Sequence, residues 1–142
     1  MIGYRILAEH NLMVVCNWGE TTLDQIIAMR AAVGIDPNLS LDLDVLADNS
    51  RLIVHLETKD IRHLAESRVK GDSALAKMAT VAPQDVSFGM YRMYEMMSQG
   101  GGAEPTRQMM VFRDLPSAME WLGKSDFPIQ SVLDEIITQA SE

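Results

Sequence analysis

The period of hydrophobic and polar positions changes along this chain, and the most apolar stretch runs from Lys77 to Met97. Lys77-Met78-Ala79-Thr80-Val81-Ala82-Pro83 is a short apolar run halted by proline, the pattern of a buried strand. After Gln84 and Asp85 the spacing becomes helical. Val86, Met90, Met93 and Met97 fall on one face, and Phe88, Tyr91 and Tyr94 widen it. Asp85, Arg92, Glu95 and Gln99 leave only a narrow polar stripe. A sheet, a partner or a ligand must cover such a helix, and the pattern does not choose among them.

Other segments alternate in the same way. Tyr4–Glu9 and Leu12–Trp18 read as two strands joined by a tight turn at His10-Asn11, a hairpin that Gly19 ends. Thr22-Leu23-Asp24-Gln25 is a capping box, and Leu23, Ile26, Ile27, Arg30 and Val33 follow helical spacing up to Gly34. Asp36-Pro37-Asn38 forbids continuation. Leu41–Ala47 predicts a third strand, Asp48-Asn49-Ser50 a turn, and Arg51–Val54 an apolar run too short to assign. Thr58 caps a helix carrying Ile61, Leu64 and Ala65, which Gly71 closes. Gly100–Pro105 is a loop, Gln108–Arg113 a fifth strand, and Asp114 and Pro116 open a helix that Gly123 ends.

A hairpin followed by alternating helices and strands predicts an α/β fold with a largely parallel sheet. Beyond a linker at 124–128, the apolar positions Ile129, Val132, Leu133, Ile136, Ile137 and Ala140 form one stripe opposite Gln130, Asp134, Glu135 and Gln139. A helix of this length is marginal alone in water. Its stripe must pack on the protein's own core or on a second subunit, and sequence cannot choose between them.

Certain of these pieces match a known pattern. They are Gly19-Glu20-Thr21-Thr22-Leu23, the turn Val81-Ala82-Pro83-Gln84-Asp85, the helix Phe88–Glu95, and Val111-Phe112-Arg113-Asp114-Leu115 leading to Trp121-Leu122-Gly123. Together they resemble the small bacterial SpoIIAA-like proteins, which share the fold of STAS domains and of CRAL-TRIO lipid carriers. The resemblance covers residues 1–123 and implies a five-stranded mixed sheet backed by helices. It leaves 124–142 as a linker and an extra C-terminal amphipathic helix. Relatives range from phosphorylation-switched partner-binding modules to proteins thought to hold nonpolar ligands near membranes. In the STAS antagonists the phosphorylated Ser lies in an Asp-Ser-Ser-Gly pattern. Here that place reads Glu57-Thr58-Lys59-Asp60, so Thr58 is the candidate phosphosite by resemblance and a plain helix cap by local chemistry.

Composition narrows the function classes. The 142 residues suit one core, and 47% hydrophobic content is ordinary for a globular chain. No apolar run approaches the roughly 20 residues of a membrane span, and no signal peptide is visible. One cysteine excludes an internal disulfide and fits a cytoplasmic setting. A net charge of −8, with basic residues scattered apart from Arg62, Arg68 and Lys70, predicts no nucleic-acid binding. The 11 methionines either fill an irregular core or line an adaptable apolar surface.

Candidate chemistry is sparse. Cys16 shares a strand face with Val14 and Trp18, which predicts a buried, inert thiol. His10, His55 and His63 lack ligand spacing, so no metal is expected. Asp42 and Asp44 alternate with leucines on what reads as a solvated face. Gly100–Gly102 follows a helix and precedes a strand, the wrong order for a phosphate loop. Any polar ligand would meet the strand-to-helix turns at Asp48, Asn49, Ser50, Gln84, Asp85 and Arg113. The expectation is a cofactor-free, non-catalytic, STAS-like interaction module, cytoplasmic and homodimeric. The alternative is a carrier or sensor of a small nonpolar ligand, with Met90, Met93, Tyr94 and Met97 lining part of its cavity and membrane contact left open.

Overall fold

The computed structural model describes residues 1–54, 56–66, 76–99 and 108–140. His55, Arg68, Lys70, Gly71 and the Gly100–Gly102 run, which figure in the sequence reading, lie outside the described residues. The strands are β1 (Ile2–Leu7), β2 (Leu12–Thr21), β3 (Asp44–Val54), β4 (Lys77–Val81) and β5 (Gln108–Phe112). They form one mixed sheet in the order β1-β2-β3-β4-β5, with β1 antiparallel to β2 and every later pair parallel. The helices are α1 (Leu23–Gly34), α2 (Thr58–Glu66), α3 (Asp85–Gln99), α4 (Leu115–Trp121) and α5 (Ile129–Ala140). This is the α/β fold that the alternation predicts.

Covered strands read as apolar runs rather than alternating ones, because both faces are buried. In β2, every residue from Leu12 to Trp18 is buried except Met13, which is half-buried. One face carries Leu12, Val14, Cys16, Leu46, Ala79 and Val81, packed under α4 and α5. The opposite face carries Val15, Val45 and Ala47, with Met109 of β5 packed among α2 and α3.

Local signals decide most helix ends. Thr22 and Gln25 complete the capping box: Thr22 Oγ1 accepts from the Gln25 amide at 3.3 Å, and Gln25 Oε1 accepts from the Thr22 amide at 3.1 Å. Asp114 caps α4 by accepting from the Ser117 amide at 2.8 Å, which holds its carboxyl below the usual range. Gly123, at φ +73°, ends α4 with the Lys124 amide donating back to the Met119 carbonyl.

Other expectations need correction. The hairpin connection is a short 3₁₀ turn over Ala8–His10, with Asn11 in the left-handed region at φ 51°. Gly19 has φ +63° but does not end β2, which runs on to Thr21 because Glu20 and Thr21 find partners in Ile53 and Val54. Asp48-Asn49-Ser50 is not a turn. It lies inside β3, which continues through Arg51–Val54. Cys16 pairs with Asp48 and Trp18 with Arg51, so β3 carries one extra residue there. The turn-forming residues make a β-bulge instead of a reversal. Thr58 is not a cap either. The Glu57 carbonyl accepts the first helical bonds, from Asp60 and Ile61, so Thr58 is the first helical residue of α2 and is exposed.

The C-terminal helix packs on its own sheet. Ile129, Leu133 and Ile136 are buried in the core beside Trp18 and Cys16. A Cβ added at Gly3 would lie 2.8 Å from Ile136 Cγ2, so a glycine lets α5 approach β1 this closely. The acidic face of α5 meets arginines: Arg5 bonds Glu135 at 2.5 Å and Gln139 at 2.7 Å, and Arg51 bonds Asp134 at 3.2 Å. These exposed pairs orient the helix and contribute little energy, while each buried aliphatic side chain contributes about 1.5–3 kcal/mol. Leu133, at 1% exposure, is the test position. Leu133→Ala is expected to cost about 2–5 kcal/mol in chemical denaturation. An unchanged midpoint would mean that α5 does not dock on the sheet.

Candidate functional site

α1 is the loosest element over the sheet. None of its residues is buried. The half-buried positions are Leu23, Ile26, Met29, Arg30 and Val33, while Ile27, placed on the inner stripe by sequence, is 40% exposed. Met29 takes the place expected of Ile27. The helix stands off the sheet, and a cavity of about 220 Å3 lies beneath it. Met13, Val15 and Asn17 of β2 and Val45, Ala47 and Asn49 of β3 form its floor. Met29, Arg30 and Val33 form part of the roof, Leu39–Leu41 close one end, and Tyr91 and Tyr94 come from α3.

The floor grades from apolar to polar along the strands. Met13 pairs with Val45, and Asn17 and Asn49 each lie four residues further along their strands. Four residues of strand span about 13 Å. At the polar end Asn17 Nδ2 donates to Asn49 Oδ1 at 2.6 Å, and the Tyr91 hydroxyl donates to the same oxygen at 2.8 Å. Asn49 Nδ2 in turn donates to the Ala47 carbonyl at 3.4 Å. Asn17 is 6% exposed and Asn49 2%. Asn49 lies beside Asn17 in the register that pairs Met13 with Val45, and burial raises the Tyr91 hydroxyl above its ordinary range, so it stays a neutral donor. Arg30 ties the roof together: Nη1 donates to the Leu64 carbonyl and Nη2 to the Tyr94 hydroxyl, each at 2.7 Å.

The candidate ligand face of α3 is split. Met90 and Tyr94 are buried in the core against α2 and β5, with Met93 and Met97 packed beside them. Of the four, only Tyr94 lines the cavity. Val86, assigned to the same face, is 71% exposed, because the buried stripe runs through Ser87, Met90 and Tyr94 instead. Tyr91, read only as widening that face, supplies the cavity hydroxyl. A Tyr one turn from Ser87 on the covered side was the available signal.

The six strand-end residues do not form one crevice. Asn49 faces the cavity. Asp48 lies on the opposite face of the sheet, accepting from the Ser50 amide and hydroxyl. Ser50, Gln84 and Asp85 are exposed, and Arg113 clips Asp85 at 2.6 Å and the Pro83 carbonyl at 3.2 Å while lying 4.0 Å over the Phe88 ring. That cluster fastens β5 to the start of α3. Asn17 escaped the sequence reading because a lone Asn in an apolar run carries no ligand pattern.

Other candidates resolve as structure. Asp44 clamps the Lys77 amide at 2.9 Å and Lys124 Nζ at 3.0 Å, whereas Asp42 precedes the strand and is exposed, so the two are not a carboxylate pair. Cys16 is fully buried against α5, and burial, with the Asp48 carboxylate nearby, pushes its thiol up to about 12. Among the described residues there is no group of three or more His, Cys, Asp or Glu that could hold a metal, and no helix long and apolar enough to cross a membrane.

No family model matches the chain, and no curated protein matches it. Among solved structures it is similar to that of an uncharacterized protein from the DUF3478 family with a SpoIIAA-like fold, from Shewanella loihica PV-4. The two are 16% identical, with a TM-score of 0.47, over 86% of this chain and 92% of the other.

The raised Cys16 thiol makes a pH prediction. The folded state keeps the proton where the unfolded chain loses it. Its contribution to stability is therefore complete below about pH 9 and declines as pH rises toward about 12. Native protein is expected to resist a thiol reagent at pH 8 and to react stoichiometrically once unfolded. Rapid labelling of the native state would contradict the burial of Cys16.

Proposed function

We propose that this chain is a non-catalytic, STAS-like module that binds a small nonpolar molecule between α1 and the sheet. The observation that carries this reading is the cavity of about 220 Å3, floored by Met13, Val15, Val45 and Ala47. An apolar cavity of about 150 Å3 is enough to take up benzene. Such a site needs no catalytic group, and Cys16, Asp44, His10 and His63 are not among the residues that line it. Loose seating of α1, with every residue at least partly exposed, supports entry from that side.

The second reading is a homodimeric interaction module. It is favoured by Ile35 at 85%, Val86 at 71% and Met96 at 67% exposure, apolar groups that a second copy would cover. Thr58, the candidate phosphosite by resemblance, is exposed on the first turn of α2. Native mass spectrometry of purified protein separates the two, since a co-purifying small molecule supports the carrier and a bare dimer the module.

Ala47 lies mid-floor and is 5% exposed. Ala47→Leu is expected to fill part of the cavity and lower affinity for a benzene-sized probe at least tenfold, with the fold retained by circular dichroism. Equal probe affinity in the variant and the parent chain would remove the cavity as the binding site.

A further inference from the structure

We infer that the cavity selects an uncharged ligand whose head donates a hydrogen bond, an alcohol, phenol or carboxamide on an apolar body, and that Asn17 Oδ1 is the atom that receives it. The inference rests on the proposed binding function and specifies its ligand class. Asn17 Oδ1 is buried and has no hydrogen-bond partner among the described residues, although Asn17 Nδ2 is held by Asn49. The assignment of that oxygen follows from the network. Asn49 Oδ1 already accepts from Asn17 Nδ2 and from the Tyr91 hydroxyl, and Asn49 Nδ2 donates to the Ala47 carbonyl. Turning the Asn17 amide over would set two carbonyl oxygens against each other at 2.6 Å.

A buried acceptor left without a donor costs about 1–3 kcal/mol. A ligand that supplies the donor removes that cost, and one that cannot leaves it in place. Charge is disfavoured at this end for a reason of sign. A carboxylate would bring its lone pairs against Asn17 Oδ1, and an ammonium would be desolvated among neutral oxygens. The guanidinium of Arg30, on the roof of the same cavity, is held by the Leu64 carbonyl and the Tyr94 hydroxyl. The apolar body then lies along the floor toward Met13 and Val45, over the span of about 13 Å that separates the two ends.

The test uses four para-substituted toluenes: p-cresol, which donates; 4-methylanisole, which only accepts; p-xylene, which does neither; and the p-toluate anion, which carries a charge. Affinities are measured by calorimetry on the full chain and on Asn17→Leu. Hydrophobicity alone ranks p-cresol last. The inference expects it first, by about tenfold over 4-methylanisole, with that preference lost in Asn17→Leu. If the variant does not fold, the ranking on the parent chain decides by itself. Equal binding of the three neutral probes, or tighter binding of p-xylene, overturns the head-group inference and leaves the cavity reading standing. Tighter binding of the p-toluate anion overturns it in favour of Arg30. Binding of none of the probes by the folded chain overturns the cavity reading together with the inference.

Discussion

The parallel pairing of β2 with β3 is the constraint on which the rest of the molecule depends. These two long strands lie at the centre of the sheet and are covered on both faces, so nearly every side chain between Leu12 and Trp18 must be apolar or satisfied within the protein. The one irregularity in the pair is the extra residue of β3 between Asp48 and Arg51. It shifts the alternation, sending Arg51 toward Asp134 on α5 and Leu52 into the core under α2 and α3. The register that precedes it sets Asn49 beside Asn17 on the covered face, next to Val15, Val45 and Ala47.

The two faces of the sheet are packed differently. Under α4 and α5 the core is closed: Trp18, Leu46, Leu122, Leu133 and Ile136 are each less than a tenth exposed. Under α1 it is not. The Thr22 capping box fixes where that helix begins, and Arg30 and the bond from the Tyr4 hydroxyl to Asp36 fix where it ends up. Polar anchors thus hold α1 at a distance that apolar packing would have shortened, and the cavity is the space that remains. A well-packed interior has few such voids. That contrast within one sheet directs the functional reading to this face.

Much of the architecture was legible in the amino-acid sequence. The hairpin, the α/β alternation, the capping box, the Asp114 cap and the Gly123 stop all follow from short-range chemistry, and so does the burial of Cys16. The apolar stripe of the last helix was equally plain, as was its need for cover. These are properties of neighbouring residues, and a local pattern is enough to state them. The candidate site was much less so. Tyr94 was singled out as a cavity residue and Asn49 as part of a strand-end crevice, but Asn17 and Tyr91 were not seen as a polar end at all.

Only the tertiary structure decided the rest, because pairing across strands overrides local preference. Asp48-Asn49-Ser50 has the composition of a turn, yet pairing to β2 at Asp48 and again at Arg51 holds it extended, and its turn tendency survives only as a bulge. Whether α5 folded back on its own chain depended on Gly3, on Ile136 and on arginines at positions 5 and 51, residues more than eighty positions apart in sequence from their contacts. The cavity depended on how far α1 stands from the floor, a distance set by contacts from four separate elements. The sequence by itself determined which residues must be buried and where most helices begin and stop. What those buried residues leave unfilled is a property of the assembled layers, and no stretch of the chain contains it.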